Sequence, residues 1–156
     1  MLKAETAADS FSCFVREVEP PLRHALAASL GQELGREATA DALAWAWEHL
    51  EKALGLEHPV GYLFRVGRSS VRVRRRFRPL FEPVPDGDLP HVEPGLPAAM
   101  RALSERQRVA VVLVHAYGWD RKDAADLLGT SLSTLDTHLN RGLRKLRTVL
   151  GVELDG

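Results

Sequence analysis

The chain is nearly free of cysteine, since Cys13 is the only one in 156 residues. A single thiol excludes an internal disulfide framework and a cysteine-rich metal site. No apolar run approaches the roughly 20 residues that a bilayer-spanning helix needs. The first ten residues carry Glu5 and Asp9 and lack the apolar core of a signal peptide. We therefore expect a cytoplasmic protein that has no contact with a membrane.

Patterns that would indicate an enzyme are also missing. The six histidines are scattered along the chain, and His138 has no Cys or His partner at a ligand spacing. There is no Gly-rich phosphate loop, nucleophile elbow or HExxH pattern. We expect no enzymatic activity, no metal and no cofactor.

The charges balance overall, with 21 basic and 21 acidic residues, but they are segregated along the chain. Residues 1–60 hold ten acids and five bases, whereas residues 61–78 hold seven arginines and no acid. Residues 79–97 hold four acids and no base, and residues 98–156 hold nine bases and seven acids. Salt screens charges beyond about 8–10 Å, so a polyanion responds to the local charge. The neutral total does not exclude nucleic-acid binding.

One break divides the chain. Residues 79–97 contain six prolines and two glycines, and proline removes backbone donors and disfavours helix at the residue before it. We predict an acidic, proline-rich linker there, between an N-terminal domain at 8–78 and a C-terminal domain at 98–152. Both domains show apolar residues at helical spacing. The predicted fold is all-α, with two small helical domains.

The N-terminal domain is expected to contain three helices. The first would be capped by Asp9 or Ser10, and Pro20-Pro21 would kink or split it. Gly31 and Gly35 would bracket a turn before a second helix at about 37–54. Pro59 would open the third helix. The expected core positions of the second and third helices are Leu43, Trp47, Leu50, Leu54, Tyr62, Leu63, Val66 and Val73.

The C-terminal domain shows clearer helix boundaries. Ser104 and Gln107 form a capping box, and Asp120 would cap a short helix that ends at Gly129. Residues 130–132 would be the turn, and Ser133 would cap a longer helix with Leu135, Leu139, Leu143, Leu146 and Leu150 on one side. A short helix, a tight turn and a longer basic helix are typical of a helix-turn-helix.

Two segments together resemble the bacterial extracytoplasmic-function sigma factors. EATADALAWAWEHLEKALGLEHPVGYLFRVGRSSVRVRRRF, residues 37–77, resembles region 2 of that family. LSERQRVAVVLVHAYGWDRKDAADLLGTSLSTLDTHLNRGLRKLR, residues 103–147, resembles region 4. The chain departs from the family at Asp136, Thr137 and His138, where lysine, serine and arginine are frequent, and at Asp123, which replaces the usual glutamate.

The resemblance implies a sigma factor that directs core RNA polymerase to specific promoters and assists promoter opening. Region 2 would bind the clamp of the β′ subunit and the −10 element. Region 4 would bind the −35 element as double-stranded DNA, and the flap of the β subunit is a further expected contact. An anti-sigma protein is the usual regulator of the family. The expected polymerase-binding residues are Glu37, Asp41, Trp45 and Glu48.

The expected DNA contacts are mostly basic. Seven arginines without an acid repel one another unless an anion is near, and guanidinium binds phosphate bidentately. The expected contacts at the −10 element are Arg65, Arg68, Arg72, Arg74, Arg75 and Arg76. Region 2 would also receive an extruded base in the loop at about 55–58. The expected contacts at the −35 element are Arg121, Lys122, Ser133, Thr134, Thr137, His138, Arg141, Arg144 and Lys145.

Two other interpretations remain open. A free-standing helix-turn-helix regulator would bind its promoter site tightly without polymerase, and it would not need residues 37–78. A helical protein-interaction module with no DNA role would leave the arginine-rich segment and the capped turn unexplained.

Overall fold

The computed structural model describes residues 2–74 and 95–151, and every element in these two ranges is helical. The chain divides into two compact units, Met1–Leu80 and Phe81–Gly156. The prediction of an all-α fold is confirmed. Most of the predicted linker, at 79–94, lies outside the described residues. None of the described helices is long and apolar enough to span a bilayer.

The N-terminal unit contains four helices: α1 (Leu2–Leu30), α2 (Gln32–Glu48), α3 (Leu50–Leu54) and α4 (Pro59–Arg74). Its largest fully buried apolar side chains come from α1, α2 and α4, and they are Leu22, Leu26, Leu30, Leu34, Leu63 and Val71. The core therefore lies between these three helices.

Helix α1 runs through both prolines. It begins before the predicted caps Asp9 and Ser10, and Pro20 and Pro21 do not split it. Each proline leaves one upstream carbonyl without a helical partner, but those carbonyls belong to Arg16 and Glu17, which are exposed to water. A proline inside a helix costs about 3 kcal/mol, and full burial of one leucine contributes about 1.5–3 kcal/mol. The buried leucines downstream are sufficient to keep the helix continuous.

The turn after α1 needs one glycine. Gly31 has a φ of 89°, in the region that favours glycine, and α2 begins at the next residue. Gly35 lies inside α2, where a Cβ would come within 2.7 Å of the backbone nitrogen of Ala27. On α4, a Cβ at Gly67 would lie 2.8 Å from the carbonyl oxygen of Ala38. The two glycines allow α2 to pack closely against α1 and α4.

The prediction that large apolar residues such as Trp47 form the core side of α2 is wrong. The side of α2 that packs consists of Leu34 and small residues such as Ala38, Ala42 and Ala46. Trp47, predicted to be core, is 49% exposed and contacts Phe11 edge to face, with ring centroids 5.0 Å apart. Close helix packing selects small side chains, so the large apolar residues lie beside the contact.

Two further predictions for this unit need correction. The predicted helix at 37–54 is two helices, because the backbone at His49 leaves the helical conformation (φ −124°, ψ 45°). On α4, Val73 is 71% exposed rather than buried, whereas Phe64 and Val71 are buried. Leu63 is buried as predicted, but the buried side of α4 continues through Phe64 and Val71 and not through Val73.

The C-terminal unit contains α5 (Leu96–Ala102), α6 (Glu105–Val111), α7 (Arg121–Leu128) and α8 (Leu132–Leu150). A π-helical turn, Val112–Ala116, extends α6. Leu96 and Pro97, predicted as linker, form the start of α5. The buried apolar residues contributed by α6, α7, α8 and their connections include Leu103, Val109, Leu113, Ala124, Leu135, Leu139 and Leu146.

Candidate nucleic-acid interface

Helices α7 and α8 form the predicted helix-turn-helix, and short-range hydrogen bonds fix its ends. The Asp120 carboxylate accepts from the Lys122 N–H at 2.9 Å and caps α7. Gly129 ends α7 in the left-handed region with a φ of 65°. Upstream, the predicted capping box is present, with Ser104 and Gln107 bonded reciprocally at 3.2 Å.

The cap of α8 is Ser131, not Ser133 as the sequence predicted. The Ser131 hydroxyl accepts from the Thr134 N–H at 3.1 Å and donates to the Thr134 hydroxyl at 2.9 Å. Both serines precede a helical pattern, and only the backbone decides which one is the cap. Ser133 is therefore an exposed residue of the first turn of α8.

The buried side of α8 defines its outward side. Leu135, Leu139, Gly142 and Leu146 are buried, so at 100° per residue the opposite side carries Ser133, Thr137 and Arg144. All three are exposed. A polar, exposed stripe of this kind is typical of a helix that enters the DNA major groove.

The exposed cations predicted as DNA contacts lie on this stripe or beside it. Arg141, Arg144 and Lys145, all predicted as DNA contacts, are exposed. Thr137 is exposed too, but its hydroxyl donates to the Ser133 carbonyl at 3.1 Å. The Thr134 hydroxyl takes part in the cap hydrogen bonds. Among the predicted contacts of α8, the basic side chains thus have the greatest freedom to reach DNA.

His138 is half-buried on the side of α8 near α6. Burial lowers its pKa below the usual 6.5, and the positive charges of Arg106 and Arg141 lower the pKa further. Near neutral pH the imidazole is therefore less often protonated than that of an ordinary histidine. His138 can donate or accept a hydrogen bond there, and it adds less positive charge for phosphate than an ordinary histidine would.

Arg121 and Asp136 form an ion pair that the sequence did not reveal. Nη1 of Arg121, at the start of α7, donates to Oδ1 of Asp136 at 3.2 Å. Asp136 is the only acidic residue in α8. The pair neutralises it and occupies one expected phosphate contact. Lys122, the other basic residue at this helix end, is exposed.

Asn140 is an exposed polar residue of α8 that is absent from the predicted contacts. Asn140 lies seven residues after Ser133 and three after Thr137, so it is close to the same stripe. A search for basic and hydroxyl side chains passes over an amide. The helical period alone places Asn140 beside the outward side.

In the N-terminal unit, Arg65, Arg68 and Arg72 lie along α4. Arg65 and Arg72 are exposed, and the Arg68 guanidinium lies over the Phe64 ring, 5.7 Å from its centroid. A groove runs along the same helix, and its lining residues are Tyr62, Arg65, Val66, Ser69, Ser70 and Val73. The side chains of Arg74, Arg75 and Arg76 lie outside the described part of the chain. Within it, no cluster of three His, Cys, Asp or Glu residues could hold a metal.

The four expected polymerase contacts occupy different environments. Glu48 is exposed, and Glu37 is half-buried. Asp41 is half-buried and its Oδ2 accepts from the Ser70 hydroxyl at 2.8 Å, which ties α2 to α4. Asp41 therefore has an internal role that the sequence did not indicate.

Trp45, the fourth of these residues, is half-buried in a cluster of rings. Its ring stacks on His49 with centroids 4.5 Å apart and lies 5.1 Å from the ring of Tyr62. The Lys52 ammonium is 5.6 Å from the Trp45 centroid and 5.3 Å from the Tyr62 centroid. Trp45 thus contacts both α3 and α4 and is less accessible than Trp47.

Comparisons with known proteins agree with this geometry. Residues 95–146 match the model of the family Sigma-70, region 4, which covers α5 to most of α8. No curated protein matches the chain in a sequence search.

Two solved structures resemble the whole chain. The sigma factor RpoE of Bartonella quintana, solved in complex with the anti-sigma factor NepR, has 25% identity and a TM-score of 0.62, over 92% of this chain and 98% of that chain. CnrH, solved in complex with the cytosolic domain of CnrY, has 21% identity and a TM-score of 0.61, over 95% of this chain and 96% of that chain. The region 4 match and the likeness to RpoE support a sigma-factor role in transcription initiation for this chain, with a sigma-70 region 4 at residues 95–146.

Proposed function

We propose that the C-terminal unit binds the −35 element of promoter DNA as a duplex, with α8 in the major groove. The outward side of α8 carries this proposal. It combines hydroxyl and amide groups with Arg141, Arg144 and Lys145, and the only acid of the helix is paired with Arg121. Phosphate contacts from the cations would fix the register, and the outward polar residues would meet base edges.

The N-terminal unit would bind the −10 element through α4. Arg65 and Arg72 are exposed there, and the arginine-rich sequence continues beyond the described residues. Promoter opening separates the strands, so a basic helix beside the −10 element can bind the phosphates of the separated strand. The loop after α3 would receive an extruded base.

The partner of both units would be core RNA polymerase. Glu48 on α2 is the exposed acidic residue of the four expected contacts, and this helix would face the clamp of the β′ subunit. The flap of the β subunit would bind the C-terminal unit. The protein itself would make and break no covalent bond, and it would act in the cytoplasm.

Regulation by an anti-sigma protein is part of the proposal. RpoE of Bartonella quintana was solved with an anti-sigma factor, and CnrH with the cytosolic domain of CnrY. A protein that covers the polymerase-binding residues of this chain would keep it from transcription.

Run-off transcription with core polymerase from the source bacterium tests this function. Promoter fragments from the same genome should give discrete transcripts only when the protein is added, and changes in either promoter element should abolish them. Tight promoter binding without polymerase, and no transcript with it, would instead indicate a free-standing regulator. Absence of both activities would leave a helical interaction module.

A further inference from the structure

Asn140 has a side-chain amide that no other group in the described structure uses. It lies on α8 one residue before Arg141 and one helical turn after Asp136. The residue is exposed, and its side chain has no hydrogen-bond partner among residues 2–74 and 95–151. An exposed amide on a DNA-facing helix is therefore available to a base edge.

The charges around Asn140 also favour an approach to DNA. Asp136 precedes it by four residues, and Arg144 follows it by four, so the three side chains lie along one line of the helix. The Asp136 carboxylate is 3.2 Å from the Arg121 guanidinium, which offsets its repulsion of phosphate. Asn140 thus lies between a neutralised acid and an exposed cation.

We propose that Asn140 determines specificity by reading an adenine in the −35 element. In the major groove adenine presents the N7 acceptor and the N6 amino donor, and an asparagine amide can pair with both at once. Arginine pairs in the same bidentate way with guanine, so Arg141 and Asn140 would read different bases. This inference rests on the proposed binding of α8 to the −35 element.

The test uses holoenzyme and a set of single-base variants of the −35 element. With wild-type protein, replacing the contacted A·T pair should weaken binding by roughly 5- to 150-fold, the range for one bidentate contact. Asn140→Ala should remove most of this preference at that one base pair. The variant should fold, because the residue is exposed and alanine favours helix more than asparagine does.

A modified base makes the test more specific. 7-Deazaadenine lacks the N7 acceptor but keeps the amino group and normal pairing. At the contacted position it should weaken DNA binding by wild-type protein roughly 2- to 12-fold, which is the cost of one net hydrogen bond. It should not further weaken DNA binding by the Asn140→Ala variant. A residue that merely supports the helix would show no such coupling to a single atom of DNA.

Arg147→Ala is the matched control, since Arg147 is exposed near the end of the same helix. It should weaken binding evenly across all sequences. Asn140→Ala could instead weaken binding evenly across all sequences, or not at all, while Arg141→Ala changes the preference for one base. The inference about Asn140 would then be wrong, but the proposed function would stand. If wild-type holoenzyme shows no dependence on the −35 sequence, the proposed function fails first.

Discussion

Arg121 and Asp136 connect the two helices of the helix-turn-helix, with the guanidinium of one 3.2 Å from the carboxylate of the other. Both side chains remain partly exposed, at 57% and 39%, so the pair is worth at most about 1 kcal/mol of folding free energy. In the proposed complex its larger effect would be on DNA binding, because it combines the one acid of α8 with a cation that could otherwise bind phosphate.

Asp136→Asn should release Arg121 for a phosphate contact. We expect binding to all DNA sequences to strengthen, and the log–log dependence of affinity on salt to steepen by about one. Titration of holoenzyme with promoter DNA at several salt concentrations measures both. Asp126→Asn makes the same charge change at an exposed residue of α7 and should alter the slope less. Equal slopes in the two variants would mean that Arg121 does not gain a phosphate contact.

Asp41 and Glu48 were both predicted to bind polymerase, and they lie in different environments, Asp41 bonded to Ser70 and Glu48 exposed. Asp41→Ala removes the acceptor of the Ser70 hydroxyl, so we expect the free energy of unfolding to fall by about 1–3 kcal/mol. Glu48→Ala at an exposed position should change stability by less than about 0.5 kcal/mol and weaken binding to core polymerase. Urea denaturation and a polymerase binding assay measure the two effects. Weaker polymerase binding for Asp41→Ala without a loss of stability would reverse this assignment.

Gly35→Ala tests the close packing of α2. The added Cβ would lie 2.7 Å from a backbone atom of α1. Because backbone cannot move aside as a side chain could, we expect the free energy of unfolding to fall by about 1–3 kcal/mol or more. Gly61→Ala is the control, because a Cβ at Gly61 meets nothing within 4 Å. It should stabilise α4 by about 0.5–1 kcal/mol. Urea midpoints that shift in the same direction would contradict this account.

His138 should make the C-terminal unit sensitive to acid. Burial and the charges of Arg106 and Arg141 lower its pKa in the folded protein, so between that lowered pKa and 6.5 the unfolded chain binds more protons. Stability should therefore fall as the pH drops through this window and level off below it. Melting temperatures from about pH 7.5 to about pH 5 should show a smaller fall in His138→Gln than in wild-type protein.

The control for this prediction is His24→Gln. The pKa of His24 is also lowered, by burial and by Arg23, with a smaller opposing effect of Glu19. That residue lies in α1, so its replacement should affect the N-terminal unit alone. An unchanged pH dependence in His138→Gln would show that other groups cause the acid sensitivity.

The structural features that the sequence predicted correctly depend on residues close together in the chain. The box at Ser104 and Gln107, the cap at Asp120 and the left-handed Gly129 each involve residues a few positions apart, and all three are confirmed. The helix-turn-helix follows from them, although the cap of its second helix is Ser131 and not the predicted Ser133.

Features that depend on packing between helices were harder to predict. A stripe of large apolar residues suggested that Trp47 is core, but α2 packs through alanine and glycine at a distance that large side chains would prevent. The Arg121–Asp136 pair joins residues fifteen apart, and no local pattern indicates it. The exposure of Asn140 follows from helical period, but its unused amide is visible only once the neighbouring side chains are placed.

The small residues of α2 also bear on how this helix meets a partner. Helices that pack through long side chains can slide, because those side chains can change rotamer. Here backbone lies against backbone at Gly35 on one side, and Gly67 brings α4 equally close on another, so little side-chain rearrangement is possible. The exposed side of α2 is therefore pre-organised. A protein that docks on it does not have to order it, and most of the entropy lost on ordering the contact surfaces would fall on the partner.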